Sequence, residues 1–305
     1  MRVLVTGAAG TLGREVVAHL ATLGWAVRAD DRVPLDPATA DEVSTGDLLD
    51  PEHARALVAG MSAVVHVAAI PSPIPGAEQE IFTNNVLSAY QVLDAAGRAG
   101  VPRIVYVSSL SALGFAYSQR GASPERVPVT EAHPFAAEDV YGLSKHLGER
   151  IARTVALHSG STVVSLRFPF LGHGERLRKH LAFVHADPGA DRGGLWSWLD
   201  TRDAARAVQA ALTRELTGHQ LVDVVAPDTT SLLPTAELLR RYHPSSVLTE
   251  PVNGFDTPFR TTRSRELLGF TPIHGWRDLA AGADAAGTAA DARALDAKEL
   301  DAKER

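Results

Sequence analysis

Short apolar runs rich in β-branched residues alternate along the chain with longer segments of helical periodicity. Arg2-Val3-Leu4-Val5-Thr6 reads as a buried strand. Gly7 to Gly13 forms a glycine-rich turn, and a helix is expected from about Gly13 to Leu23, with Val16, Val17 and Leu20 on one face and Gly24 ending it. Ala26-Val27-Arg28-Ala29-Asp30 is the next strand, ending at Asp31. Gly46 to Pro51 is a loop opening a helix, with Asp50 as N-cap and Pro51 at the first helical position. Ala63 to Ala69 is a strand that finishes in small residues. A long helix follows from about Glu78 to Arg98, with Gly100 marking its end, and then the strand Arg103-Ile104-Val105-Tyr106-Val107. Val163 to Gly172 makes a further strand. Strand and helix in alternation predict an α/β chain built on a doubly wound parallel sheet. We divide it into residues 1–166, residues 167–282 as a smaller mixed lobe interleaved with the last sheet elements, and a polar tail at 283–305.

Composition adds exclusions. The 305 residues are 45% hydrophobic and 22% charged, ordinary for a globular protein. A net charge of -6 leaves no basic footprint for nucleic acid. The absence of cysteine removes disulfides, thiolate metal sites and a cysteine nucleophile, and fits a reducing compartment. No apolar run reaches the ~18 residues of a membrane span. The chain enters its first strand directly from Met1, so we expect no signal peptide and a cytoplasmic location. The histidines show no metal-ligand spacing, and no metal is expected.

The chemistry-bearing positions fall at the carboxyl ends of the strands, where open α/β sheets bind ligands. Gly7-x-x-Gly10-x-x-Gly13 sits between a strand and a helix; such a turn lets backbone approach a pyrophosphate at the helix N-terminus. Asp31 is placed to accept hydrogen bonds from adenosine ribose hydroxyls, and its charge would repel a 2′-phosphate, which argues for NAD over NADP. Asp30 belongs to the strand's own alternation, and Arg32 is placed to meet a phosphate. Asp47 is either an adenine contact or a turn aspartate. His66 reads as a packing histidine. Ser108, Ser109 and Ser111 present hydroxyls at a strand end, with a plain serine-rich loop as the alternative. Tyr141-Gly142-Leu143-Ser144-Lys145 puts a phenol and an ammonium one helical turn apart. A fixed cation favours phenolate and should draw the tyrosine down towards neutral pH.

Taken together, Gly7-x-x-Gly10-x-x-Gly13, Asp31, Asp47-Leu48, His66-Val67-Ala68-Ala69, Asn85-Val86, Ser108-Ser109 and Tyr141-x-x-x-Lys145 resemble the extended short-chain dehydrogenase/reductases, the NAD-dependent epimerase/dehydratase family. Asp200 to Ala205 and Glu266 to Pro272 extend the similarity towards residue 280. The resemblance implies a Rossmann-type fold and NAD as cofactor. It implies Tyr141 as acid/base, Lys145 as the cation that tunes it and holds the nicotinamide ribose, and Ser109 as the hydrogen-bond partner of the reacting oxygen. The cofactor contacts it implies are Gly7, Ala9, Gly10, Thr11, Leu12 and Gly13; Asp31, Arg32, Asp47 and Leu48; Val67, Ala68, Ala69 and Asn85; and Val107, Ser108, Tyr141, Lys145, Phe168 and Phe170. Pro71, Ser109, Ser111, Arg167, Pro169, Trp196 and Arg260 are the expected substrate contacts. A homodimer packing the Asn85–Arg98 and Tyr141 helices is implied as well.

Departures from the family pattern narrow the substrate. Many sugar-nucleotide members carry Arg-x-x-Asn where this chain has Arg167-Phe168-Pro169-Phe170, and dehydratases carry Asp-Glu where Leu110-Ser111 stands. His173, Glu175, Arg176, Arg178, Lys179 and His180 form a polar cluster that reads as a solvated helix face, or else as a carboxylate or phosphate site. Of Trp196 and Trp198, one is expected in the core and one against a ring of the ligand. Arg260 and Arg263 are candidate anion contacts or surface residues. The leading expectation is epimerisation of a nucleotide sugar. The alternative is net oxidation or reduction of a sugar, uronate or small ketone, supported by Pro169 and by Trp198-x-x-x-Arg202-Asp203, which is similar to a Trp-x-x-x-Asp-Asp arrangement of uronate dehydrogenases. A non-catalytic dinucleotide sensor stands last, because both Tyr141 and Lys145 are kept.

Overall fold

The structure, a computed structural model, describes residues 1–277; the polar tail at 283–305 lies outside the described residues. In chain order the elements are β1 Arg2–Thr6, α1 Thr11–Thr22, β2 Ala26–Asp31, β3 Glu42–Thr45, α2 Pro51–Val58, β4 Ala63–His66, α3 Glu78–Phe82, α4 Ser88–Arg98, β5 Arg103–Ser109 and β6 Arg126–Val127. There follow α5 Val140–Ser159, β7 Thr162–Phe168, β8 Phe170–Leu171, α6 Gly174–Ala186, β9 Trp198–Leu199, α7 Thr201–Thr213, β10 His219–Asp223, α8 Thr235–Tyr242, β11 Val247–Leu248 and α9 Thr262–Leu268.

Seven strands form one parallel sheet in the order β3-β2-β1-β4-β5-β7-β10. The order reverses between β1 and β4, so their carboxyl ends, Thr6 beside His66, open a crevice. β4 is buried along its length, as are β7 and all of β1 but its first residue, which is why they read as unbroken apolar runs. One face is covered by α1 and α7, whose Val16, Leu20, Ala204 and Val208 share a cluster with Val3 and Val5. The other is covered by α2, α4 and α5 through Leu57, Leu93, Ala152 and Val155. β10 returns to this sheet, so the lobe is threaded through it. The lobe itself adds two short parallel pairs, β8 with β9 and β6 with β11.

Local chemistry accounts for the element ends. Asp50 caps α2 by accepting from the Glu52 amide at 2.9 Å, and Asp139 caps α5 by accepting from the Gly142 amide at 2.8 Å. Two features differ from the sequence expectation. β3 is a short edge strand whose one apolar residue, Val43, gives no alternation to announce it. The long helix runs from Glu78 to Arg98 as expected, but a wide turn at Thr83–Leu87 separates α3 from α4, and its extra residue turns Asn85 inward.

α5 lies so close to β5 that a Cβ on Gly148 would stand 2.0 Å from the Tyr106 hydroxyl. Gly148→Ala is therefore expected to lower stability by about 1–3 kcal/mol. A chemical denaturation midpoint equal to that of the parent would show that α5 does not sit this close to the sheet.

Candidate active site

A cleft of about 730 Å³ runs across the carboxyl ends of β1, β2, β4, β5 and β7. At its first wall, Gly7 takes φ +70°, and a side chain there would meet the Ala68 amide nitrogen at 2.6 Å. A Cβ at Gly13 would lie 2.0 Å from the Gly7 carbonyl oxygen, so α1 packs directly on the turn. Gly10 leaves the first amides of α1 without a side-chain cap and with no acidic residue in the first turn. That is a helix N-terminus prepared for an anion, and the close-packed glycines form a cradle that any side chain would fill. Ala9, Thr11 and Leu12 complete this wall.

Asp31 stands at the same end. Its carboxylate accepts from the Ala9 amide at 2.9 Å and the Val33 amide at 3.1 Å. Asp30, by contrast, is fully buried and meets His53 at 3.0 Å. Arg32, Asp47 and Leu48 line the rim, and Val67, Ala68, Ala69, Val107 and Ser108 form the floor. These residues fit an extended dinucleotide.

The reacting groups converge at the other end. Lys145 Nζ donates to the Val107 carbonyl at 2.9 Å and lies 5.8 Å from the centre of the Tyr141 ring. Ser109 ends β5, accepts from the Ser111 amide at 3.1 Å and donates to the Ser111 hydroxyl at 3.1 Å. Burial pushes Tyr141 above its ordinary value, with the Ser109 hydroxyl pulling the other way, and pushes Lys145 down to about 8. The lowering of the phenol expected from Lys145 is not found in the protein alone, where desolvation raises it. Pro71, Ser111, Phe168, Pro169 and Phe170 line this end.

Four sequence expectations are corrected. Asn85 does not line the cleft: its amide bonds both Ile70 backbone groups, at 2.8 and 3.0 Å, and the Ser144 hydroxyl at 3.1 Å. It ties the loop after β4 to α5, because a buried amide must satisfy its own donors and acceptors. Arg167 is buried against Glu149, which it grips at 2.7 and 2.8 Å, and does not reach the cleft. Trp196 is fully buried and donates to the Pro188 carbonyl at 2.7 Å; Trp198 is also core. Arg260 pairs with Glu250 away from the cleft, and Arg263 braces β10 through the Leu221 carbonyl at 2.7 Å.

The polar cluster divides. Glu175, Arg178 and Lys179 pair with one another on the exposed face of α6. Arg176 and His180 face the cleft, where His180 stacks on Phe170 at 3.8 Å and Arg176 lies 5.0 Å from the same ring. Arg176 donates to the Leu171 carbonyl through Nε alone, leaving its outer nitrogens without a hydrogen-bond partner among the described residues. Asp191, raised by burial to about 7, stands 3.7 Å from His180. The sequence reading missed Phe115, Tyr117, Asp191, Ser197 and Phe259 as cleft residues, since loops carry no periodic signal. Tyr117 meets the Tyr141 ring edge-on at 6.2 Å. His66 packs on Tyr106 and bonds Thr6 at 2.9 Å, and burial drives it down to about 3. Among the described residues no cluster of side chains is suited to a metal ion. No described helix is long and apolar enough to cross a membrane.

Residues 3–224 match the model of the NAD dependent epimerase/dehydratase family, so the chain belongs to that family and is an NAD-dependent short-chain dehydrogenase/reductase. It is 31% identical over 224 residues to a uronate dehydrogenase of Pseudomonas putida, covering 72% of this chain and 75% of that one. A short-chain dehydrogenase/reductase superfamily protein from Agrobacterium tumefaciens, solved with bound NAD, superposes with a TM-score of 0.73 at 27% identity, over 98% of this chain and 100% of the other. MoeE5, solved with UDP-glucose and NAD, has a TM-score of 0.69 at 25% identity, over 91% and 95%.

Asp31→Ala removes the carboxylate at the ribose end. NAD affinity should fall about tenfold or more, as loss of charged hydrogen bonds predicts, and the gap to NADP should narrow. Calorimetric titration with both dinucleotides checks this; an unchanged ratio would disprove the ribose contact.

Proposed function

From membership of this family, we propose that the protein is a net dehydrogenase that oxidises a carbinol of a free sugar acid, a uronate-type substrate. The observation that carries the reading is Arg176, a cation at the substrate end of the cleft whose outer nitrogens are open for a carboxylate. Phe170 stands where sugar-nucleotide members have asparagine, and its stack with His180 closes that side of the cleft. The similarity to a uronate dehydrogenase supports the same substrate class. This reverses the order of the sequence expectation, which put epimerisation of a nucleotide sugar first.

In this reading the glycine turn, Asp31 and Lys145 would hold a dinucleotide, whose nicotinamide would supply the hydride acceptor. Tyr141 takes the hydroxyl proton as the carbonyl forms, and Ser109, oriented by Ser111, holds the reacting oxygen. Lys145, fixed on the Val107 carbonyl, stabilises the phenolate and would hold the nicotinamide ribose. Tyr117, edge-on to Tyr141, helps keep water from the phenol. Leu87, Tyr90 and Leu157, exposed on the α4 and α5 side, support the homodimer expected there. The cysteine-free composition fits a cytoplasmic setting.

Incubated with NAD and glucuronate or galacturonate, the protein should form NADH in proportion to substrate. Interconversion of UDP-sugars with no net NADH would instead establish an epimerase. Tyr141→Phe should lower turnover by about 10²–10⁴-fold while NAD binding persists; full activity would overturn its assignment. Arg176→Ala should raise KM about tenfold for a uronate, the loss of one charged contact, and leave a neutral sugar unaffected. Equal effects on both would remove the carboxylate contact.

A further inference from the structure

Beneath the cleft lies a buried set of charged and polar groups that the reaction above does not use. Glu149 follows Lys145 by one turn on the buried face of α5, and neither residue is more than 4% exposed. The Glu149 carboxylate accepts from the Ser108 hydroxyl at 2.6 Å and from Arg167 Nε and Nη2 at 2.7 and 2.8 Å. Arg167 in turn stands 3.7 Å from Asp223 on β10. The set joins α5, β5, β7 and β10. Stability alone does not account for it, since buried ion pairs are often replaced by apolar residues at no loss.

Resting on the assignment of Lys145 above, we propose that Glu149 is a positioning residue of the catalytic pair. Fixed by Arg167 and Ser108, it supplies the negative charge that keeps the Lys145 ammonium charged inside an apolar wall. The other groups facing Lys145 do not supply one. Tyr106 and Tyr141 are both raised by burial and stay neutral phenols, and His66 is driven down to about 3 and stays neutral. Asp223 sits on the edge strand β10, where its carboxyl stands 3.7 Å from Arg167, which remains a cation beside it. Burial lowers Lys145, and Glu149 is the group that opposes it. Without Glu149 the lysine would lose its proton at lower pH and no longer stabilise a phenolate.

The test is the titration of Lys145 in the full chain, read by NMR on protein labelled at lysine Cε and assigned with Lys145→Met. The parent should titrate near 8. Glu149→Gln alone strands the Arg167 guanidinium and is expected to be unstable. The paired variant Glu149→Gln/Arg167→Met removes both charges at similar volume. In it the Lys145 titration should move down by about one pH unit or more, as loss of a nearby opposite charge predicts. An unmoved titration in a paired variant that melts like the parent would overturn the proposal and leave the set a purely structural tie. The measurement needs neither substrate nor NAD, so a failed uronate assay and a failed titration are separate results.

Discussion

The close seating of α5 against β5 and β7 is the constraint on which the rest depends. Along one face of this helix lie Tyr141, Lys145, Gly148 and Glu149, and all are buried. The approach is set at Gly148, where only hydrogen fits beside the Tyr106 hydroxyl. A helix brought this near must satisfy the polar groups it carries inward. It does so with sheet groups: the Val107 carbonyl for Lys145, and Ser108 and Arg167 for Glu149. Asn85 completes the clamp by joining Ile70 to Ser144, which ties the loop after β4 to the reactive helix.

That seating also sets the electrostatics. Desolvation raises the phenol and lowers the ammonium, the wrong direction for a tyrosine base. The counterweights are local: the Ser109 hydroxyl on the phenol side and Glu149 on the lysine side. Reactivity here is a balance of burial against specific partners, and a Tyr-x-x-x-Lys spacing specifies only the geometry on which that balance acts.

The cleft has two ends with different origins. The dinucleotide end is made by the strand-turn-helix unit at Gly7 to Gly13 and the strand ending at Asp31, all local in sequence. Its glycines and acid were legible because backbone approach and ribose recognition demand those residue types in that order. The substrate end is assembled from α6, the loop carrying Asp191 and the loops around Tyr117 and Phe259, which are remote from one another. There the sequence misled. Arg167 and Trp196 had the right chemistry for ligand contact but were taken by the core, Arg167 by Glu149 and Trp196 by Pro188. Arg176, on a helix face that read as solvated, turned out to border the cleft.

The sequence by itself determined the layer architecture, the crevice at the carboxyl ends of the strands, and the positions of the glycine turn, Asp31, Ser109, Tyr141 and Lys145. The layers, the glycine turn and Asp31 follow from short-range rules of periodicity and turn geometry, while Ser109 and the Tyr141–Lys145 pair stood out through the resemblance to a family. Only the tertiary structure decided which polar side chains face ligand and which pair inside. Burial of Glu149, Arg167 and Asp223 together depends on the meeting of α5, β7 and β10, elements separated in the chain. No local pattern encodes that meeting, because the energy of a charge is set by what surrounds it in space.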